Sequence, residues 1–506
     1  MNEKIAVDLI VTGGDVMSMD GDNRILRPGA MAIRDGEILA VGTPKEIAAR
    51  FVADRIIDAR GKLAMPGLVD TYSHAGHGMI KAIYHPLRGW PSGHLYYHGT
   101  TEDFWYAEGL LSATERVRFG VTSNMTTVGG TPARTDSTVF ALANARAQAT
   151  VGLRGSVGVG PPDVFVKHIP EPYTATWWEE GKPETRGFTY RDTLEVSEEI
   201  FRRVDDLAGG GVGSFMALPY IFGRHPRGKR RNDPTPTYSD EDMPVLVEKA
   251  EEAVDLARRY GVRVQTHMFE GTIDFALEKM GRDEVMEILG PDVVVAHANG
   301  LREGEIDLLA EAGTRVASAP SMEENLWYGR CPVPEMLRAG VNVSITTDGP
   351  APRISLDLFK DINRSLFLNW MAYGTQDVYP AGRALRMVTI DAARVMGIDH
   401  LVGSLEVGKR ADIILLDMDR PHLTPSFHLP QLVAYYVNGN DVDTTIVDGK
   451  VLMEDRRVLT VDEGEVLDFA QEEAEKAVGR VDISPYLELP AGYWNSWRHE
   501  DAPPMG

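Results

Sequence analysis

The middle of the chain repeats one unit, a helix followed by a short apolar strand, and this alternation limits the possible folds more than any other feature. A helical pattern over 244–260 leads into an apolar run at 261–267, and one over 271–289 leads into 292–297. The unit recurs as 303–313 before 314–320 and as 332–340 before 341–348. Apolar strands at roughly 30-residue spacing, each reached through a helix, are what parallel βαβ units buried on both faces look like. Closed on itself, such a series makes a (β/α)8 barrel. An open doubly wound sheet is the alternative, but no GxGxxG-type phosphate turn supports it.

Both ends read differently. Runs at 8–14, 30–42 and 55–62 are short, apolar and bounded by Gly and Asp, and the same style returns at 403–417, 433–437 and 444–452. Asp35-Gly36 reads as a tight hairpin turn, because Gly supplies positive φ without steric cost. Neither end alone offers enough strands for a stable sheet, so one small sheet domain built from both termini is expected rather than two appendages. Two Pro- and Gly-containing stretches, 160–188 and 222–242, read as loop insertions. They carry Trp177, Trp178, His225 and a basic run at 227–231, which reads as a solvated loop.

Charge then removes whole classes of function. With 52 Lys and Arg against 75 Asp and Glu, the net charge is −23. Nucleic-acid and anionic-membrane binders need clustered basic residues, so neither partner is expected. Cys331 is the one cysteine, which rules out intramolecular disulfides and cysteine-based zinc clusters. No run of about 18 apolar residues is present to cross a membrane. The N-terminal residues lack the basic-then-apolar plan of a signal peptide, and a cytoplasmic location is expected.

The chemistry lies at the strand ends. Tyr72, Ser73 and His74 end one strand, His267 another, His297 the next, and Asp348 the last. In a barrel all strand C-termini open on one mouth, so these side chains should face each other. Three His and one Asp can bind a divalent ion through imidazole nitrogens and a carboxylate oxygen. Packing alone accounts poorly for four such residues in register, since each buried polar group needs a partner. Glu270, three residues beyond His267, can reach the same mouth and shuttle a proton.

These residues resemble the amidohydrolase superfamily, over nearly the whole chain. The matching pieces are Met65-Pro66-Gly67-Leu68-Val69-Asp70, Gly120-Val121-Thr122-Ser123, His267 with Glu270, Ala296-His297-Ala298-Asn299, Thr347-Asp348-Gly349 and the tail from Gly403 to Asp412. The branch it looks most like holds cytosine, guanine and adenosylhomocysteine deaminases, triazine hydrolases, and phenylurea and thiocarbamate hydrolases. The resemblance implies a distorted (β/α)8 barrel with a β-sandwich from both termini. The expected division is 1–64 and 401–460 for the sandwich, 65–400 for the barrel, and 461–506 for a C-terminal helix and tail.

One position departs from that pattern. The family has His-x-His at the end of barrel strand one, and here Tyr72 stands where the first His belongs. Phenylurea and thiocarbamate hydrolases also lack that His, so the departure favours them over the deaminases. His77, His85, His94 and His98 crowd the following loop; one of them could fill the vacancy, but for each singly lining or covering the substrate pocket without touching metal is the favoured reading. No Lys ends the presumed fourth strand, which argues for a single metal. The expected ligands are His74, His267 and Asp348, with Tyr72 and His297 as further candidates. Zinc is the default ion, with iron, cobalt or manganese open.

The expected activity is hydrolysis at an sp2 carbon of a small urea, amide or N-heterocyclic compound by metal-activated water. Asp348 and His297 would orient the water and take its proton, and Glu270 would protonate the leaving atom. Deamination of an aminated ring is the alternative, and an inactive barrel is a third. Tyr84, Trp90, Tyr96, Tyr97, Trp177 and Trp178 suggest a planar or apolar substrate, with loop packing as the competing account. The helix expected over 461–479 has a one-sided apolar stripe and an aromatic tail with Tyr493, Trp494 and Trp497. It should cover either its own barrel or a second subunit, and a homo-oligomer is expected.

Overall fold

The computed structural model describes residues 4–85, 89–129, 132–162, 171–222, 242–323, 329–376, 378–489 and 494. Eight parallel strands follow one another around a (β/α)8 barrel: Leu68–Ala75, Val121–Val128, Gly155–Val159, Val212–Ala217, Arg263–Phe269, Val293–Asn299, Arg315–Ser318 and Val343–Ile345. Bonds between the last and first strands draw the ends together. The Asp348 N–H donates to the Tyr72 carbonyl at 3.1 Å, and the Tyr72 N–H to Thr346 Oγ1 at 2.7 Å. Helices precede the strands as the alternation requires, including Met243–Arg259, Glu303–Ala312 and Val333–Ala339.

The two ends of the chain share one sheet. It interleaves Asp15–Met17, Ile25–Leu26 and Lys62–Pro66 with Ile413–Asp417, Val442–Val447, Lys450–Glu454 and Arg457–Val458. Lys62–Pro66 pairs antiparallel with Ile413–Asp417 and joins the halves. Four N-terminal strands make the facing sheet, and Leu9, Val11, Met31 and Ile33 from it pack with Ile413, Leu415 and Ile446. Asp35 and Gly36 both take positive φ, 54° and 74°, between the strands Ala30–Arg34 and Glu37–Gly42. Two positive-φ residues in a row match the right-handed twist of a hairpin.

Two local readings change. Residues 433–437, read as a strand from their β-branched and aromatic content, lie in the helix Leu429–Tyr436 and the residue after it. Leu429, Val433 and Ala434 form one buried face there, so tertiary packing overrode local preference. The described part of the 160–188 insertion holds a hairpin, Tyr173–Glu179 with Lys182–Phe188. His225, the basic run at 227–231, Tyr493 and Trp497 lie outside the described residues.

The C-terminal helix, Glu463–Arg480, begins at Asp462, whose carboxylate caps the N–H groups of Gly464 and Glu465. Its buried Val466, Ala470 and Ala477 lie on the side packed against the helices Glu102–Arg118 and Ser92–Gly99. Val466 and Ala470 of the stripe are therefore covered by its own barrel, whereas Leu467 stays exposed. Among the described residues no helix is long and apolar enough to cross a membrane.

Candidate active site

Side chains alternate along a strand, so the register that turns His74 inward turns Tyr72 inward too. Tyr72 is fully buried, and its hydroxyl oxygen stands 2.6 Å from His74 Nε2 and 2.6 Å from His267 Nε2. His74 Nδ1 lies 2.6 Å from the Gly129 carbonyl, and His267 Nδ1 lies 2.7 Å from the Pro219 carbonyl. A carbonyl only accepts, so each Nδ1 carries the proton and each Nε2 presents a lone pair to the centre. Pro219 follows the fourth strand, so that strand end supplies a backbone acceptor where a bridging Lys is absent. Asp348 Oδ1 stands 3.2 Å from His74 Nε2, and Oδ2 stands 3.9 Å from His297 Nε2.

Buried groups below the mouth hold this arrangement. Asp70 accepts from Thr346 Oγ1 at 2.7 Å, from the Thr347 N–H at 3.0 Å and from Thr347 Oγ1 at 2.8 Å. Arg116, buried in its helix, stands 3.5 Å from the other side of that carboxylate. Asp70 thereby ties strand one to the segment that carries Asp348. Arg116 and Thr346 were not singled out from sequence. A buried Arg in a helix has no motif to announce it, whereas Thr346, two residues before Asp348, was within reach. His297, Ala298 and Asp348 have φ of 69°, 54° and 62°. Non-glycine residues in that region cost about 1–3 kcal/mol each and collect at functional sites.

The electrostatics keep the His267 lone pair free. Burial first, and His297 beside it next, pull His267 down to about 3. Burial, with the Asp348 charge adding to it, pushes the Tyr72 phenol well above its usual range. Burial raises Asp348, but the neighbouring His74 and His297 and the Gly349 N–H outweigh it and leave the carboxyl below its usual range. At neutral pH the centre thus holds a carboxylate, the His267 lone pair and a neutral phenol.

Of the four loop histidines, His77 comes nearest this centre. It is 3% exposed, its ring lies 4.5 Å from that of His74, and neither ring nitrogen has a hydrogen-bond partner among the described residues. A Cβ on Gly349 would come within 1.8 Å of His77 Nδ1, so only glycine fits beside it. His98 bonds Thr176 and lies tilted against His94, and the His85 backbone pairs with Gly89. Glu270 is exposed, and its carboxylate has no hydrogen-bond or ion-pair partner among the described residues. Most of the aromatic residues pack the loops. Trp178 donates to the His98 carbonyl, Tyr97 to the Pro132 carbonyl, and Trp177 lies against Phe140. Trp90 remains at the site, edge-on to His77 at 4.7 Å.

The donor set fits a divalent ion. The Tyr72 hydroxyl has one proton for two facing Nε2 lone pairs, so one 2.6 Å contact joins two acceptors, and His74 Nε2 meets the Asp348 carboxylate as well. A cation relieves that excess of lone pairs. Ligands of one tetrahedral zinc stand about 3.3 Å apart, close to the His74–Asp348 separation. The phenol oxygen is nearer than this, and among the described residues no three His, Cys, Asp or Glu side chains are spaced to hold an ion as they stand. Admitting one requires the phenol to draw back by a fraction of an ångström.

The amidohydrolase family profile matches residues 63–452. The chain belongs to the amidohydrolase family and is a hydrolase of carbon–nitrogen bonds other than peptide bonds. It is 32% identical to the 5'-deoxyadenosine deaminase of Methanosarcina mazei, over 94% of this chain and 99% of that one. It is 30% identical to the 5-methylthioadenosine/S-adenosylhomocysteine deaminase of Syntrophobacter fumaroxidans, over 91% and 96%. An adenosine deaminase from Xanthomonas campestris with bound zinc shares the fold at a TM-score of 0.76 and 21% identity, covering 94% of this chain and all of that one. An atrazine chlorohydrolase from Arthrobacter aurescens, complexed with zinc and atraton, shares it at 0.73 and 19%, covering 92% and all of that chain.

Proposed function

We propose that this chain hydrolyses the exocyclic amino group of an adenine-type nucleoside and releases ammonia. The observation that carries the reading is full-length similarity, at 30% identity or more, to deaminases of 5'-deoxyadenosine and of methylthio- and homocysteinyl-adenosine. His74, His267 and Asp348 would hold one divalent ion, zinc by preference, because their donor atoms converge with fixed tautomers. A bound ion would supply a Lewis acid that brings water's pKa toward neutrality. Asp348 and His297 take the proton of the attacking water. Glu270, unpaired at the rim, delivers a proton to the departing nitrogen. The ring carbon gains the oxygen and loses the amine, leaving a carbonyl and ammonia. Trp90 offers an aromatic surface beside this mouth for a planar base.

A second reading is hydrolysis of a urea or thiocarbamate, favoured by Tyr72 in the place of the family's first His. Incubation with 5'-deoxyadenosine, 5-methylthioadenosine and S-adenosylhomocysteine, followed by ammonia release, separates the two. Turnover of at least one nucleoside is expected. Amine release from a phenylurea with no ammonia from any nucleoside would establish the second reading.

The proposal extends to assembly and location. Phe367, Met371 and Tyr436 are exposed on neighbouring helices, and Trp370 packs tilted against Tyr435. An apolar patch of this kind suits a copy-to-copy contact, so a cytoplasmic homo-oligomer is the expected form. The catalytic barrel is assigned to 65–400, flanked by sandwich pieces 1–64 and 401–460, with 461–506 appended.

A further inference from the structure

The opposite end of the barrel holds a cavity of about 940 Å3 whose walls are unlike the rest of this acidic chain. It opens where barrel strands three to seven begin, and its lining includes Arg154, Arg202, Arg258, Arg263 and Arg315 but only two carboxylates, Asp205 and Asp292. Three of the five arginines are already paired. Arg154 meets Asp412 and Asp448, Arg202 meets Glu198 and Glu199, and Arg258 meets Asp292.

Arg263 and Arg315 are different. Arg263 donates through Nε to the Met396 carbonyl at 2.6 Å and through Nη1 to the Pro291 carbonyl at 2.9 Å. Arg315 makes one long bond, 3.5 Å, to the Val395 carbonyl. Neither forms an ion pair with a described carboxylate. Asp292 and Asp399 attract both only from beyond ion-pair distance. Burial and the neighbouring Arg315 charge pull Arg263 down to about 10, so the two cations repel each other. The Val395 and Met396 carbonyls belong to a helix C-terminus, which favours cations and accounts for one edge of each guanidinium. Most of the donors on both remain unassigned.

We propose that this cavity on the barrel floor binds a phosphorylated organic molecule, with its phosphoryl oxygens held by Arg263 and Arg315. A guanidinium fork matches phosphate oxygens in pairs, and one dianion would satisfy both cations and cancel their repulsion. The cavity falls within the usual size of small-molecule sites, roughly 300–1,000 Å3. Phe201, Val204, Ile398 and Leu401 give it an apolar wall for the organic portion. The site is separate from the mouth and does not depend on the reaction proposed there.

Calorimetric titration of the full chain with inorganic phosphate and with ribose 5-phosphate, at ionic strength held constant with chloride, tests the assignment. One saturable site is expected, tighter for the sugar phosphate, with a rise in melting temperature that chloride does not produce. Arg315→Gln should weaken binding about tenfold, the worth of one charge-assisted fork, and Arg263→Gln by at least as much. Arg315 makes only one long bond, so its variant stays informative if Arg263→Gln fails to fold. Stabilisation no greater than that by chloride, or undiminished binding in Arg315→Gln, would show that the cations only cap the helix. Loss of binding in His267→Ala but not in the arginine variants would move the anion to the mouth and overturn the proposal.

Discussion

Replacing Tyr72 by Phe removes one oxygen and nothing else, and the geometry says what should follow. Without an ion, the hydroxyl gives its proton to one of two imidazoles, each 2.6 Å away. Removing one partner of a buried hydrogen bond and leaving its acceptor unsatisfied costs about 1–3 kcal/mol. The metal-free protein should therefore become less stable by about 1–3 kcal/mol. A bound ion would be held by His74 and His267 in place of the phenol contacts, so the loaded form should hardly notice the change. By linkage, a cost borne by the empty form alone appears as tighter binding, and about 1.4 kcal/mol corresponds to a tenfold gain. Tyr72→Phe should thus bind zinc about 5- to 150-fold more tightly in competition with a chromophoric chelator. Its metal-free form should melt earlier and its zinc-loaded form should not. A tenfold loss of affinity would refute the reasoning and make the phenol oxygen a ligand. Tyr72→His, which restores the family pattern, should raise affinity further, and unchanged metal retention there would mean that position 72 does not face the ion.

His267→Ala should abolish both bound metal and turnover, as measured by metal analysis of protein purified without chelator, and full activity would sink the ligand assignment. Glu270→Gln should keep its metal and lose about 10²–10⁴-fold in ammonia release, the usual worth of general acid–base catalysis; loss of metal instead would make Glu270 a ligand. Metal-free protein should lose stability as pH falls from 6.5, because unfolded His267 takes a proton there while the folded residue waits until about 3. In that window the unfolded state holds the extra proton, so each pH unit costs up to about 1.4 kcal/mol. His77, also held low by burial, contributes with the same sign. Denaturant titrations at pH 7 and 5 should differ less for His267→Gln than for the parent, and an equal difference would mean that the folded imidazole titrates normally.

The chain's own order of residues already determined the mouth. Parallel βα units send every strand C-terminus to one end, so His74, His267, His297 and Asp348 had to converge once the alternation was recognised. Two-residue periodicity likewise put Tyr72 on the face of His74. The shared terminal sheet was also legible, since neither end carries enough strands alone. Other features have no local signature. Residues 433–437 favour a strand by composition but pack as a helix, because Leu429, Val433 and Ala434 find a buried surface. The C-terminal helix shows a stripe, yet only the folded barrel offers the helices 92–99 and 102–118 to receive it. Four histidines follow His74 within 24 residues, and only the path of the loop decides that His77 lies against it. The contact of the Tyr72 hydroxyl with His267, 195 residues away, is likewise a product of barrel closure. Periodicity is written residue by residue, whereas which distant surfaces meet depends on the simultaneous fit of all of them.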